Sequence, residues 1–153
     1  MATRRFLVCE RCGPSPAPGT LFKLLLATAR RDARQCPQCG AHVDLRLKFD
    51  FGLNAASSEC TVLDCFVPRQ LESWSDKDGS NVEFYPFLVI LQRHGRELAA
   101  WLPYWHLIER GRRPAQKYGQ WAPFMDFDLF EDLLAQAQAK GYLPGGLAGS
   151  LGA

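Results

Sequence analysis

Hydrophobic and polar positions alternate in several stretches of the chain, and a period of two is typical of strands that bury one face. The clearest stretch is VDLRLKFDF at 43–51, and the apolar stretch TVLDCFV follows at 61–67. A longer pair, VEFYPFLVILQ at 82–92 and ELAAWLPYW at 97–105, flanks a turn at 93–96 and predicts an antiparallel hairpin. The pattern therefore predicts a core built mainly from antiparallel strands.

The long hairpin contains two prolines in matching positions. If Arg93 faces Arg96, the register places Val89 opposite Ala100 and Pro86 opposite Pro103. Neither proline can donate a hydrogen bond to its neighbouring strand, so we expect the hairpin to bend, splay or end its pairing there. Two interpretations stay open at this point: the mouth of a groove, or strands that pass from one sheet to another.

The segment MDFDLFEDLLAQAQAKG at 125–141 has the helical period of 3.6. Either Asp126 caps this helix, with Met125 and Phe130 as a hydrophobic staple, or Asp128 caps it and Glu131 completes a capping box. Gly141 ends it. The predicted apolar stripe consists of Phe127, Phe130, Leu133, Leu134 and Ala137.

The segment TLFKLLLATARRDAR at 20–34 is open to two interpretations. As a strand, its first half would belong to a hairpin. As a helix from about residue 21 to 34, with Thr20 as the N-cap, it collects its apolar side chains on one stripe. We favour the helix, whose stripe consists of Phe22, Leu25, Leu26, Ala29 and Ala33.

Two cysteine hooks stand before and after this segment. The first hook is CERCG at 9–13 and the second is CPQCG at 36–40, with 23 residues between their inner cysteines. Two cysteines separated by two residues can direct both sulfurs to one point, and a glycine after the second tolerates the positive φ of such a turn. The hooks therefore predict a metal site with four thiolate ligands: Cys9, Cys12, Cys36 and Cys39.

These residues, with Gly13, Pro37 and Gly40, resemble the knuckles of zinc-ribbon proteins, and rubredoxins hold iron with a similar pair. The resemblance covers only about residues 5–48 and implies one structural zinc ion, with iron as the alternative, but no single activity. Two features depart from it. The insert begins with GPSPAPG at 13–19, which predicts a rigid polar loop where zinc ribbons usually have a hairpin, and it lacks the aromatic residues expected around a rubredoxin iron.

Charge is distributed unevenly along the chain. Residues 1–48 contain nine lysines or arginines against three acids, whereas the remainder contains nine against thirteen. The basic front either attracts a polyanion or offsets the negative charge of a metal bound by four thiolates. A second basic segment, ERGRRPAQK at 109–117, leads to an aromatic loop at 118–123. The candidate binding surface therefore combines Lys23, Arg30, Arg31, Arg34, Arg110, Arg112, Arg113, Lys117, Tyr118 and Trp121.

The other cysteines and histidines are predicted to be structural. Cys60 and Cys65 lie five apart on a predicted strand, face opposite sides and are expected to be buried thiols. His42 follows the second hook, but four thiolates already complete the metal shell. His106 lies in an aromatic setting and is expected to be a core histidine.

Several functions are disfavoured by what the sequence lacks. It contains no phosphate-binding loop, no dinucleotide-binding turn, no G-x-S-x-G and no HExxH, and nothing indicates a small-molecule substrate. Four thiolates leave no open position on a metal for catalysis, so binding is favoured over enzymatic activity. No apolar run is long enough to span a membrane and no signal-peptide core is evident, so the expected location is the cytoplasm.

These patterns predict an α+β protein in three parts. Residues 1–48 form a zinc-ribbon module, 49–143 an antiparallel β-domain with a C-terminal helix, and 144–153 a disordered tail. The expected function is non-catalytic binding of nucleic acid or of a complex that handles nucleic acid. The alternatives are an iron electron carrier like rubredoxin and a small structural subunit of an enzyme complex.

Overall fold

The computed structural model describes residues 2–50, 58–93, 95–110, 113–118 and 125–143. Antiparallel strand pairs and two helices make up an α+β protein, as the sequence predicts. In chain order its elements are β1 (Ala2–Cys9), β2 (Gly13–Pro16), α1 (Leu21–Ala29), β3 (Asp44–Asp50), β4 (Ser58–Phe66), β5 (Glu72–Ser75), β6 (Asn81–Pro86), β7 (Leu88–Arg93), β8 (Glu97–Trp101), β9 (Tyr104–Arg110), β10 (Arg113–Tyr118) and α2 (Phe127–Ala139).

The chain divides into two compact units. The first comprises Met1–Cys65 and Val89–Trp101, and the second comprises Phe66–Leu88 and Leu102–Ala153. This division differs from the boundary after residue 48 that the sequence suggests, because residue 48 lies inside β3 and pairs there with both β1 and β4. The predicted tail at 144–153 lies outside the described residues.

The first unit is built on a six-stranded sheet in the order β2-β1-β3-β4-β7-β8. In β3, Leu45, Leu47 and Phe49 are buried while Arg46 and Lys48 are only half-buried, so one face of the strand packs into the core. The alternation in the sequence predicts this strand correctly. On the same face as Leu45, the ring of Phe49 meets that of Trp101 edge-on, with centroids 5.0 Å apart.

The first four residues of the loop predicted at 13–19 form the edge strand β2 instead. Residues 13–16 pair with β1, and Pro14 and Pro16 lie opposite Val8 and Phe6. Proline is tolerated here because an edge strand has one side without a strand neighbour, so the missing N–H need not break the sheet. Pairing with β1 therefore makes a strand of a segment whose composition alone indicates a loop.

Helix α1 confirms the helical interpretation of the insert, but it is shorter than predicted. The side chain of Thr20 accepts a hydrogen bond from the backbone N–H of Lys23, as expected of an N-cap. The helix ends at Ala29 instead of Arg34 because the backbone N–H groups of Arg31 and Asp32 turn back to the carbonyls of Thr28 and Ala27. These two bonds are those of a Schellman cap.

Arg31 holds this helix end against the sheet. Its φ of +64° is one that only glycine adopts without strain, and it is the residue at which a Schellman cap normally has glycine. Its guanidinium forms an ion pair with Asp64, a buried carboxylate in β4. Asp64 also accepts the backbone N–H of Cys65 at 2.8 Å. The ion pair thus stabilises a backbone conformation that is unfavourable in itself.

The two prolines of the long hairpin mark a change of sheet. β6 and β9 belong to a four-stranded sheet, whereas β7 and β8 belong to the six-stranded one. Pro86 and Pro103 are both fully buried at the change, where the N–H of Phe87 donates to the carbonyl of Pro103 at 2.9 Å. Of the two interpretations left open by the sequence, the strands that switch sheets are the one found.

The predicted hairpin register is wrong by one residue. Arg93 pairs with Glu97 instead of Arg96, so Ile90 lies opposite Ala100. The N–H of Arg96 closes the turn onto the carbonyl of Arg93 at 3.2 Å, which makes Arg96 an additional residue in the turn. Gly95, with φ of +72°, supplies the backbone conformation that this tight turn needs.

The second unit contains the four-stranded sheet, in the order β10-β9-β6-β5, and helix α2. The sequence predicts a basic connection at 109–117 and a loop from residue 118. Instead, Arg113–Tyr118 forms β10 and pairs with β9 along its whole length. As in β2, the proline in this strand is compatible with its position at a sheet edge. Hydrogen bonding to β9 outweighs the weak strand preference of the local sequence.

Helix α2 buries only part of the predicted stripe, since Leu133 and Ala137 are buried but Phe130 and Leu134 are half-buried. Asp126 occupies the N-cap position, but its side chain makes no capping hydrogen bond. Phe127, assigned to the apolar stripe by sequence, is 52% exposed. Two polar side chains of this helix bind the main chain after β4: Asp132 accepts the N–H of Arg69, and Gln136 donates to the carbonyl of Val67. The buried residues are Leu129, Leu133 and Ala137.

Within the described ranges, neither helix is long and apolar enough to cross a membrane. Helix α1 has nine residues and α2 has thirteen, so each is too short for the roughly 20 residues that a bilayer requires.

We predict that Asp64→Ala destabilises the protein by about 2 kcal/mol, because it leaves the strained Arg31 without its carboxylate and the Cys65 N–H without an acceptor. Urea unfolding would measure the difference. Glu59→Ala is the matched control, since it removes the exposed partner of Arg46 from the same strand and should cost less than about 1 kcal/mol. Equal losses in the two variants would contradict the role given to Asp64.

Candidate metal centre

The first hook is the turn that joins β1 to β2. Cys9 is the last residue of β1 and lies opposite Gly13, the first residue of β2. Gly13 has φ of +79°, and a Cβ placed there would meet no atom within 4 Å. The positive φ, and not a lack of space, is therefore what favours glycine at this position.

The second hook is a separate tight turn with the same form. The N–H of Cys36 donates to the carbonyl of Ala41 at 2.7 Å, and the N–H of Gly40 donates back to the carbonyl of Cys36 at 2.9 Å. Gly40 has φ of +70°, matching Gly13 in the first hook. A short bridge between Gln35 and His42 closes the base of the turn.

Pairing of β1 with β3 brings the two hooks together. The last pair in their register is Val8 with Asp44. Cys9 follows Val8, and the second hook ends a few residues before Asp44, so both hooks lie at the same end of these strands. Two hooks that are distant in sequence thereby reach one place.

The four sulfurs are close enough to share one metal ion. All the Sγ atoms of Cys9, Cys12, Cys36 and Cys39 lie within 4.8 Å of one another, and those of Cys9 and Cys39 are 3.6 Å apart. For comparison, two sulfurs of a tetrahedron with metal–sulfur bonds of about 2.3 Å are separated by about 3.8 Å. The arrangement predicted from the spacing is thus present as a four-cysteine cluster that could bind a metal.

Each hook contributes one buried and one exposed cysteine. Cys9 and Cys36, the first cysteines of their hooks, are buried, while Cys12 and Cys39 are exposed. Because the second cysteine of each hook lies at the tip of its turn, one side of the cluster faces the core and the other faces solvent.

Backbone hydrogen bonds favour the ionised form of one thiol. Hydrogen bonds from the N–H groups of Gln38 and Cys39 lower the pKa of Cys36 to about 7. A hydrogen bond with the Cys39 thiol is the main cause that raises the pKa of Cys12 to about 12. Metal ions bind thiolates, so protons compete with a metal for these sulfurs and metal affinity falls as the pH is lowered.

The remaining cysteines and histidines of the described chain lie outside the cluster. Cys60 and Cys65 are both buried in β4, as predicted, and burial raises the pKa of the Cys65 thiol. His42 is exposed, with its Nε2 3.8 Å from a carboxylate oxygen of Asp44. His106 is half-buried on β9 in the aromatic setting predicted for it, with the rings of Trp74, Phe84 and Tyr104 around it.

The predicted binding surface divides into residues with different surroundings. Lys23 and Arg30 are exposed. Arg31 is bound to Asp64, and Arg34 donates a hydrogen bond to the hydroxyl of Thr28, so neither extends freely into solvent. The structure therefore does not present all four as one basic helix face.

The other predicted surface residues belong to the second unit or lie outside the described residues. Arg110 ends β9, and Arg113, Lys117 and Tyr118 belong to β10, where the backbone alone is described. Arg112 and Trp121 lie outside the described residues, as does the rest of the predicted loop after residue 118.

The ion pair between Arg31 and Asp64 is a feature of this unit that the sequence did not predict. Arg31 follows α1, and Asp64 comes from β4. One signal was available, because Asp64 is an isolated acid within the apolar stretch TVLDCFV. A buried carboxylate requires a partner, and an arginine is the residue best suited to supply one.

Comparison of the chain with known protein families, with curated proteins and with solved structures found no match. Its function is therefore inferred from its own residues.

We predict that Cys36→Ser abolishes metal binding, because it removes one of the four sulfurs of the cluster and the thiol whose pKa is lowered by the backbone N–H groups of Gln38 and Cys39. Titration with Co²⁺, whose thiolate complexes absorb strongly, would measure this, and the wild-type protein should bind one ion per chain. Cys60→Ser is the control, since it alters a buried cysteine outside the cluster and should leave the stoichiometry unchanged. A Cys36→Ser protein that binds cobalt like the wild type would contradict the four-cysteine site.

Proposed function

We propose that the protein is a non-catalytic binding protein organised by one structural zinc ion, and that its partner is nucleic acid or a complex that handles nucleic acid. The observation that carries the proposal is the four-cysteine cluster. If all four thiolates bind, a tetrahedral ion has no open position for water or substrate, which is the arrangement of a structural site. The absence of enzyme motifs from the sequence is consistent with this choice.

The ligands and the form of the hooks suit zinc, and zinc is preferred to iron because the insert lacks the aromatic residues expected around a rubredoxin iron. Four thiolates in a tetrahedral arrangement suit zinc or iron. Both hooks end in a glycine with positive φ, a feature shared with the knuckles of the zinc ribbons that residues 5–48 resemble. In such a site, metal binding contributes directly to folding, so the ion would maintain the fold of the first unit.

Nucleic acid is the proposed partner because exposed cations lie on the same unit as the cluster. Lys23 and Arg30 are exposed on α1 and at its end, and residues 1–48 contain three times as many cations as acids. A polyanion gains affinity from such a surface chiefly through the release of its counterions. A protein complex in which the chain is a small structural subunit is the second candidate partner.

An electron carrier with bound iron is the alternative function, and one observation favours it. Cys12 and Cys39 reach the surface, one from each hook, so electrons could pass to a redox partner without crossing the protein interior. The two functions predict different metals in the purified protein.

We predict one zinc ion per chain and no visible absorption in protein purified without added metal. Elemental analysis and an absorption spectrum would measure both properties, with Cys36→Ser as the metal-free control. One iron per chain with thiolate charge-transfer bands would overturn the zinc proposal and identify the electron carrier instead.

We predict that Lys23→Glu and Arg30→Glu together weaken binding to a short single-stranded oligonucleotide and reduce its salt dependence, with a slope smaller by about 0.7 for each phosphate that the variant no longer neutralises. Affinity at several salt concentrations would measure this. Lys77→Glu is the control, because it reverses an exposed charge in the turn between β5 and β6 of the other unit. Affinity and slope equal to those of the wild type would exclude this surface while leaving the zinc site intact.

A further inference from the structure

The six-stranded sheet has two edge strands, β2 and β8, which differ in their ability to pair with a further strand. At the β2 edge, the N–H of Ala17 donates to the carbonyl of Arg5 in β1 at 3.1 Å. Backbone groups of successive residues in a strand point to opposite sides, so the nitrogens of Pro16 and Pro14 lie on the side away from β1. Proline has no N–H to donate there, which protects this edge from further pairing.

The edge strand β8 lacks this protection. Among the strands that the structure describes, it pairs with β7 alone. Its sequence, ELAAW, contains no proline, and its one charged residue, Glu97, forms an ion pair with Arg93 at 2.6 Å. Alternate N–H and C=O groups of such an edge point away from the sheet, where another strand can bind them.

Apolar side chains are exposed along the same strand. Leu98 is 58% exposed, the largest value for a large apolar side chain in the described part of the chain, and Ala100 is exposed as well. Both lie on the opposite face of β8 from Trp101, whose ring packs against the buried Phe49. Free backbone groups beside exposed apolar side chains are the two features that strand addition to a sheet uses.

The edges of the four-stranded sheet are less suited to strand addition. β10 contains Pro114, as β2 contains its prolines. β5 has only four residues, two of them serines, and its exposed Trp74 contacts the ring of His106 in the same sheet at 5.5 Å. Of the four described edges, β8 is therefore the longest one without proline.

The sequence of β8 is complementary to a second copy of itself. If two copies pair antiparallel about a two-fold axis at Ala99, all five residues are paired: Leu98 lies opposite Ala100 of the partner subunit, and Glu97 lies opposite Trp101 of the partner subunit. The two glutamates are then at opposite ends of the contact, so no like charges face each other. The exposed leucines and alanines of both copies share one face and form a continuous apolar strip.

We propose that the chain forms a homodimer in which the β8 strands of two copies pair antiparallel and extend the six-stranded sheet through both subunits. The contact is isologous, and assembly stops at two chains because the prolines of β2 protect the other edge of this sheet. This inference goes beyond the proposed function and does not depend on the identity of the binding partner.

The test measures the molar mass of the full chain loaded with zinc, by sedimentation over a range of protein concentrations. We expect the mass to rise from one chain to two and no further. As the dimer forms, hydrogen exchange should slow at alternate residues of β8, because their N–H groups face outward in the monomer. A single-chain mass at the highest soluble concentration, an assembly larger than two chains, or a dimer without protection in β8 would each overturn the proposal.

Two leucine variants distinguish the edge from the rest of the exposed surface. Leu98→Lys should weaken the dimer about a hundredfold, because each copy loses the burial of a leucine, worth about tenfold, at the contact. Leu63→Lys is the matched control, since Leu63 is 38% exposed but lies on the interior strand β4, and it should change the dissociation constant by less than about twofold. Zinc content verifies that both variants are folded. Equal losses in the two variants would place the contact elsewhere and contradict pairing through β8.

Discussion

The antiparallel pairing of β1 with β3 is the interaction on which the first unit depends. Seven residue pairs, from Ala2 with Asp50 to Val8 with Asp44, close a long loop whose ends carry the two cysteine hooks. Closing such a loop costs conformational entropy, and sheet hydrogen bonds and a shared metal ion would stabilise the same closure. Formation of the sheet and binding of the metal are thus expected to reinforce each other.

The closed loop also determines where α1 and the following turn lie. The insert between the hooks contains both β2 and α1, and the helix packs with Phe22 and Leu25 buried. Its end is held by the ion pair between Arg31 and Asp64, so a strained backbone position persists because a buried charge requires it. The chain after this turn also brings the half-buried Arg34 to a hydrogen bond with the hydroxyl of Thr28.

Local sequence signals predicted the features that depend on neighbouring residues. The cysteine spacing with its glycines identified the four-cysteine cluster, and Thr20 identified the start of α1. The paired prolines identified the place where the long hairpin changes its sheet, although not which of two outcomes would occur. Features that depend on distant contacts were predicted less well. The buried face of α2 includes Leu129, which was not predicted, and Asp132 and Gln136 hydrogen-bond to the chain after β4, contacts that no helical periodicity can reveal.

By itself, the sequence determined the four clustered cysteines, helix α2 and the strands with alternating burial, and it favoured a helix for α1, because each follows from residue type and short spacing. Only the tertiary structure decided that segments 13–16 and 113–118 are edge strands, that Arg93 pairs with Glu97, and that Arg31 forms an ion pair with the buried Asp64. The physical reason is the same in each case. Backbone groups and buried charges take the partners that the folded chain brings to them, and residue type alone does not reveal those partners, whether they are close, like Glu97 to Arg93, or distant, like Asp64 to Arg31.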